Sequence, residues 1–256
     1  MAIERRSGAV GDVPLSHITA FVVITLAVSG GIAAATIVDT VSSVTTIPIM
    51  ITPALMAIIL RRIQGQSVRR TIVGSLRGST PRSVAFAIGF PVAFIAIAAT
   101  VALTTGIGTY NPGGGEFSYG GPAFLFPVFL VFAGLLSYGE ELGWRGYLLP
   151  ELTERFGPIA ATVIVGIVWA LYHFPALYFG AQATGLGNPV TTSFIQMGAV
   201  LAVAAFPFSY VYYLSNGSVV PPVILHLTWN LLNPFVLGNV YTNVEGFIAG
   251  QVILIS

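Results

Sequence analysis

Two adjacent glutamates in the apolar second half of the chain form a pattern that could support acid–base chemistry. Glu141 and Arg145 are four residues apart, so on a helix they share a face and can form an ion pair. Glu140 points about 100° away from Glu141 and lacks that partner. We expect Glu141 to stay ionised, whereas desolvation disfavours the charged form of Glu140 and suits it to general-base chemistry. The structural alternative is that both glutamates tie this helix to Arg145 and to a neighbouring helix.

Two histidines add further hydrogen-bonding groups later in the chain. His173 follows Trp169 by four residues, and Asn230 follows His226 at the same spacing, so each pair shares a helix face. A single histidine within a membrane commonly makes a hydrogen bond between helices. Two histidines together with an asparagine, two glutamates and an arginine instead favour one shared buried site.

The composition explains why these polar residues stand out. Of 256 residues, 55% are hydrophobic and 7% are charged, against about 25% charged in soluble domains. A formal net charge of +1 provides too few cations to bind nucleic-acid phosphates. The composition therefore excludes a soluble enzyme and a nucleic-acid-binding protein, and the lack of cysteine excludes thiolate chemistry.

Apolar runs of about 20 residues predict an all-α fold, a polytopic transmembrane bundle in one membrane domain over residues 1–256. We expect about eight helices, covering residues 17–38, 44–60, 83–105, 121–137 with a continuation to 145, 159–178, 192–214, 219–237, and a short one from 244. His17, at the start of the first helix, has an expected interfacial role.

Arginines indicate the orientation of the bundle. Six arginines fill the connection from Arg61 to Arg82, and Arg5 and Arg6 precede the first helix. The positive-inside rule places both segments in the cytoplasm. We therefore expect a multi-pass protein of the cell membrane, surrounded by the lipid bilayer, with a cytoplasmic N-terminus.

The connection between the glutamates and the first of the two site histidines predicts a hairpin. A turn between Pro150 and Pro158 would place Glu140 and His173 at similar depth. Simple alternation of eight spans, however, puts His226 near the inner surface and His173 toward the outer one. Bringing the three together requires broken or tilted helices.

Elimination narrows the chemistry of such a site. The aspartates, Asp12 and Asp39, lie outside the deep segments, which excludes an aspartyl pair. Neither His173 nor His226 has the His-Glu-x-x-His neighbours of a zinc protease, and Ser137 lacks a nucleophile elbow. What remains is water activated by a glutamate and assisted by histidine, with an asparagine or histidine to stabilise the oxyanion.

Three motifs resemble those of the CPBP, or Abi, family of intramembrane endopeptidases, which includes type II CAAX prenyl proteases and bacteriocin-immunity relatives. The motifs are Glu140-Glu141-x-x-x-Arg145, Trp169-x-x-x-His173 and His226-x-x-x-Asn230. They occur in the order typical of the family, within about residues 121–236. The chain departs from the family pattern at Trp169, where phenylalanine is commoner, a change that retains an aromatic wall.

The resemblance implies a role for each motif residue. Glu140 would activate the water and His173 would help to position it, while His226 and Asn230 would bind the oxyanion. The glutamate–arginine ion pair would keep the base in place. The implied substrate is a membrane-associated peptide, either a prenylated CAAX C-terminus or a transmembrane or signal-like peptide.

The resemblance implies no obligatory cofactor. Glu140, His173 and His226 nevertheless provide enough ligands for a divalent metal such as zinc. The oligomeric state does not follow from these motifs.

Two other classes of function stay open. A proton- or ion-coupled transporter would use the glutamates and histidines as a relay, but such transporters often contain internal repeats, and the sequence shows no second glutamate motif. A non-catalytic membrane-binding or bacteriocin-immunity protein would not require Glu140, whose burial has no evident structural partner in the sequence.

Overall fold

The architecture is that of a helical bundle. A computed structural model describes residues 13–35, 46–106, 108–110, 123–184, 198 and 204–237. Over these residues the helices are α1 (Leu15–Ala35), α2 (Thr46–Ile63), α3 (Val68–Ser75), α4 (Pro81–Thr105), α5 (Phe126–Gly143), α6 (Leu149–Thr184), α7 (Phe206–Leu214) and α8 (Val220–Leu237). A 3-10 turn, Ala123–Leu125, precedes α5, and a π-helical turn, Trp144–Leu148, joins α5 to α6. The predicted all-α class is confirmed.

Several helices have the length and composition of membrane spans. Among the described residues, three stretches qualify, Leu15–Ala34, Pro81–Thr105 and Phe126–Pro175. The last has 50 residues, more than twice the roughly 20 that one span requires. The backbone breaks at Gly157, with φ 78° and ψ 167°, and Pro158 follows. This break lies within the predicted turn and divides the stretch into two arms of a hairpin.

The helix boundaries agree with the predicted ones at some positions and differ at others. The short helix α3 occupies part of the arginine-rich connection and was not predicted; Ser67 caps it by accepting a hydrogen bond from the backbone N–H of Arg70 at 3.1 Å. The helix predicted over 192–214 is described only from residue 204, with α7 at Phe206–Leu214. The short helix predicted from residue 244 lies outside the described residues.

Local sequence explains the limits of α4. Thr80 and Ser83 form a capping box, in which each side chain accepts a hydrogen bond from the backbone N–H of the other, and Pro81 begins the helix. Gly106 ends it in the left-handed conformation, with φ 73°.

Hydrogen bonds attach the arginine-rich segment to the start of α8. The backbone N–H of Val219 donates to the carbonyl oxygen of Ser75 at 2.8 Å. The hydroxyls of Ser79 and Ser218 lie 3.0 Å apart. These contacts fix the beginning of the helix that carries His226.

Polar side chains connect α1, α2 and the π-helical turn at one end of the bundle. The Gln64 amide nitrogen lies 3.4 Å from Nδ1 of His17 and donates to the Tyr147 hydroxyl at 3.2 Å. Arg61 and Glu151 form an ion pair with an N–O distance of 2.5 Å. The start of α1 and the arginine-rich connection therefore lie at the same end, as the predicted orientation requires, and His17 belongs to this polar group.

Helices α2 and α5 approach to backbone contact. A Cβ atom added at Gly143 would lie 2.6 Å from the carbonyl carbon of Pro53, and one at Gly139 would lie 2.8 Å from the carbonyl oxygen of Met50. Glycine is therefore required at both positions because no side chain fits between the helices. The close approach fixes α5, the helix that carries the two glutamates, against α2.

We predict that Gly143→Ala destabilises the protein by about 1–3 kcal/mol, because the added methyl group overpacks a contact with backbone atoms. Gly134→Ala on the same helix is the matched control, since its Cβ would meet only a Leu227 methyl at 3.8 Å. Thermal unfolding in detergent measures both. An equal effect of the two substitutions would contradict the close packing of α2 against α5.

Candidate active site

The centre of the site lies at the junction of α5 and the π-helical turn. There Glu140 pairs with Trp144, and Glu141 pairs with Arg145. Trp144 Nε1 donates to Glu140 Oε2 at 3.2 Å. Arg145 Nη1 donates to both oxygens of Glu141, at 2.9 and 3.0 Å. The predicted Glu141–Arg145 ion pair is confirmed, and all four side chains are buried.

The wider turn that follows α5 carries two of these side chains. In this turn the backbone N–H of Leu149 donates to the carbonyl oxygen of Trp144, five residues earlier. Single π-helical turns inside α-helices frequently occur at functional sites. Here the turn carries both the indole and the guanidinium that contact the glutamates.

Aromatic rings enclose the guanidinium of Arg145. Its central carbon lies 4.3 Å from the ring centroid of Trp169 and 4.4 Å from that of Phe208. Nε and Nη2 are buried and have no hydrogen-bond partner among the described residues. Cation–π contacts with the two rings thus offset part of the desolvation of this charge.

The ion pair also engages His226. Nδ1 of His226 lies 3.0 Å from Glu141 Oε1. Because an ionised carboxylate can only accept, Nδ1 carries the proton and Nε2 stays available. The resemblance implied that this ion pair keeps Glu140 in place; in the structure a hydrogen bond connects the pair to His226.

Glu140 receives its hydrogen bonds from tryptophans. Trp169, on the second arm of α6, donates from Nε1 to Glu140 Oε2 at 3.0 Å, in addition to the bond from Trp144. The expectation that Glu140 lacks a structural partner is therefore wrong. Sequence spacing on one helix could not show a donor that arrives from the other arm of the hairpin.

His173 lies on the same arm as Trp169, one turn further on. Its half-buried ring packs edge-on against Trp169 and Tyr172, with centroid distances of 5.5 and 5.4 Å. Nδ1 donates to the backbone carbonyl of Trp169 at 2.8 Å, which leaves Nε2 available. Among the described residues no hydrogen bond joins His173 to Glu140.

A small cavity adjoins these groups. His226 and Asn230 both line it, as their four-residue spacing predicts, and Oδ1 of Asn230 is buried without a hydrogen-bond partner in the described part of the chain. The other lining residues are Phe90, Trp169, Ala204, Phe208 and Trp229. Helices α4, α6, α7 and α8 therefore surround a mainly aromatic cavity with an imidazole and a carboxamide in its wall.

The tertiary structure brings the predicted site residues into one region. Trp169 is the common neighbour, since it contacts Glu140, Arg145, His173 and His226. The hairpin break at Gly157 returns Trp169 and His173 to the side of Glu140, and α8 brings His226 to the same region.

The site offers groups for proton transfer and oxyanion binding. It contains a buried carboxylate, two imidazoles with an available nitrogen each, and a carboxamide. Within the described ranges, no three His, Asp or Glu side chains lie close enough together to bind a metal ion.

Two contributing residues were not predicted from the sequence. Trp144 follows Glu140 by four residues, so the spacing rule that paired Glu141 with Arg145 could have identified it. Phe208 lies on α7, and nothing in its local sequence signals a contact with Arg145.

These features define a helical membrane protein with a buried carboxylate–imidazole site. Residues 120–232 match the model of a family described as Type II CAAX prenyl endopeptidase Rce1-like. Over 156 residues the chain is 28% identical to CAAX prenyl protease 2 of Methanococcus maripaludis, an alignment that covers 55% of this chain and 54% of that protein. The chain thus spans about half the length of this curated relative. The two matches confirm the resemblance to the CPBP family for the segment that contains the site.

We predict that Arg145→Met destabilises the protein by about 3–5 kcal/mol, because it leaves the Glu141 carboxylate buried without its counter-charge. The double variant Glu141→Gln/Arg145→Met should recover part of the loss, since it removes both charges. Thermal unfolding of wild type, both single variants and the double variant measures the coupling. If the double variant loses as much stability as the two single variants together, the Glu141–Arg145 ion pair does not stabilise the protein.

Proposed function

We propose that this protein is a membrane-embedded endopeptidase that hydrolyses a peptide bond in a membrane-associated substrate by glutamate-activated water. The observation that carries the proposal is the buried carboxylate of Glu140, which shares Trp169 as a neighbour with the cavity that His226 and Asn230 line. Burying such a carboxylate is costly, and ionisable groups inside membrane spans are usually functional.

The reaction begins with proton transfer to Glu140. The carboxylate takes a proton from water as the water oxygen attacks the carbonyl carbon of the scissile bond, and the carbonyl electron pair moves onto oxygen. His173 positions the water through Nε2. The protonated Glu140 then returns the proton to the nitrogen of the leaving amine as the C–N bond breaks.

His226 and Asn230 stabilise the oxyanion. In this scheme His226 donates from Nε2–H to the oxyanion, while its Nδ1–H stays bound to Oε1 of Glu141 and orients the ring. The Asn230 carboxamide lies in the same cavity wall and supplies a second donor. Glu141 and Arg145 act through His226 in this scheme.

The proposed substrate class follows from the comparisons and from the membrane setting. The matched relative is named a CAAX prenyl protease, so a prenylated CAAX C-terminus is the favoured substrate. A transmembrane or signal-like peptide is the second candidate. We propose that the protein acts in the cell membrane with its N-terminus in the cytoplasm, where prenylated C-termini occur.

We further propose that no metal is required. Among the described residues, no group of three His, Asp or Glu side chains is close enough together to bind a metal ion.

Glu140→Gln should lower cleavage of prenylated CAAX and transmembrane peptides by at least about 10²-fold, because it removes the base while retaining an acceptor for the indoles. The assay compares purified wild type and variant in proteoliposomes, with thermal unfolding as the folding check. Glu154→Gln is the matched control, since Glu154 is exposed on α6 and outside the site. Full activity of a folded Glu140→Gln protein would disprove the assignment. Failure of folded wild type to cleave any peptide would favour a binding or immunity protein.

Chelators should leave turnover unchanged. Wild-type protein is incubated with EDTA or 1,10-phenanthroline, and initial cleavage rates are compared before and after the addition of Zn²⁺. Loss of activity that Zn²⁺ restores would show that a metal is needed and would overturn this part of the proposal.

A further inference from the structure

The three tryptophans of this protein have different hydrogen-bond environments. Trp144 and Trp169 donate to the same atom, Oε2 of Glu140, at 3.2 and 3.0 Å, and they reach it from opposite arms of the hairpin. Trp229 is also buried, but its Nε1 has no hydrogen-bond partner among the described residues. Trp229 is therefore an internal control, because it is a buried indole that does not donate to Glu140.

Because both indoles donate to Oε2, the two oxygens of the Glu140 carboxylate have different surroundings. The second oxygen of Glu140, Oε1, accepts no hydrogen bond from the described residues. Fixing Oε2 from two sides prevents rotation of the carboxylate, since each donor belongs to a tightly packed ring. Oε1 is left as the oxygen to which a water can donate.

The same bonds place two donors against the negative charge of the carboxylate. Hydrogen bonds from N–H groups to a charged acceptor are stronger than those between neutral groups. The indoles supply such donors without adding a second charge that would itself need a partner.

We propose that Trp144 and Trp169 are positioning residues for the base: they fix Oε2 and thereby make Oε1 the atom that accepts the proton of the attacking water. This inference rests on the proposed peptidase function and adds to it the residues that orient the base.

Other titratable groups surround Glu140 and are left intact by changes to the indoles. They are Glu141 on α5, Arg145 on the π-helical turn and Tyr172 on α6, together with His173 on α6 and His226 on α8, which contact Trp169. Phenylalanine at position 169 keeps an aromatic face over the Arg145 guanidinium. A change in the titration of Glu140 in Trp169→Phe therefore reports the lost N–H group.

The first test measures kcat/KM against pH for full-length wild type, Trp144→Phe, Trp169→Phe and the matched control Trp229→Phe. Each of the first two variants should move the acid limb to higher pH by about one to two units, because one hydrogen bond to a charged group is lost. Trp229→Phe should leave the acid limb in place. Unchanged acid limbs in both Trp144→Phe and Trp169→Phe, or an equal shift in Trp229→Phe, would overturn the proposal.

The second test does not depend on catalysis. Difference infrared spectroscopy follows the protonated carboxyl band of Glu140, which is assigned by its loss in Glu140→Gln. Its titration midpoint should rise in Trp144→Phe and Trp169→Phe and stay constant in Trp229→Phe. If wild type cleaves nothing, the proposed function fails while this titration still decides whether the indoles control the carboxylate. Lower thermal stability without any change of midpoint would show a packing role only and would reject the proposal.

Discussion

The burial of ionised side chains in an apolar helical bundle is the constraint on which the rest of this structure depends. Glu141 and Arg145 are both fully buried, and either one alone would be strongly destabilising in that environment. Their pairing on one helix makes the carboxylate available as an acceptor for His226 from α8. One local ion pair thus fixes the relative position of two helices that are distant in sequence.

Aromatic residues provide the remaining compensation for these charges. The rings of Trp169 and Phe208 both contact the Arg145 guanidinium, and two indole N–H groups bind Glu140. Indoles are well suited to this role because they combine a large apolar surface with one donor. The site can therefore contain charged groups within a span whose other neighbours are almost entirely apolar.

Backbone geometry brings these groups together. The break at Gly157 turns the chain so that Trp169 returns beside Glu140. Gly139 and Gly143 on α5 allow α2 to approach to backbone contact. The attachment of α3 to the start of α8 fixes the helix that bears His226. A small number of glycine positions and one turn therefore determine whether the site is assembled.

The sequence by itself determined the helical class, the hairpin near residues 150–158, the Glu141–Arg145 pair and the shared faces of Trp169 with His173 and of His226 with Asn230. These features are local: they depend on hydropathy, helix periodicity and arginine placement, which are read within one or two turns. Only the tertiary structure decided that the ion pair contacts His226, that Trp169 binds Glu140, and that Phe208 covers Arg145. Such contacts join residues far apart in the chain, and their partners depend on where helices bend and how closely they approach, which periodicity along one helix does not specify.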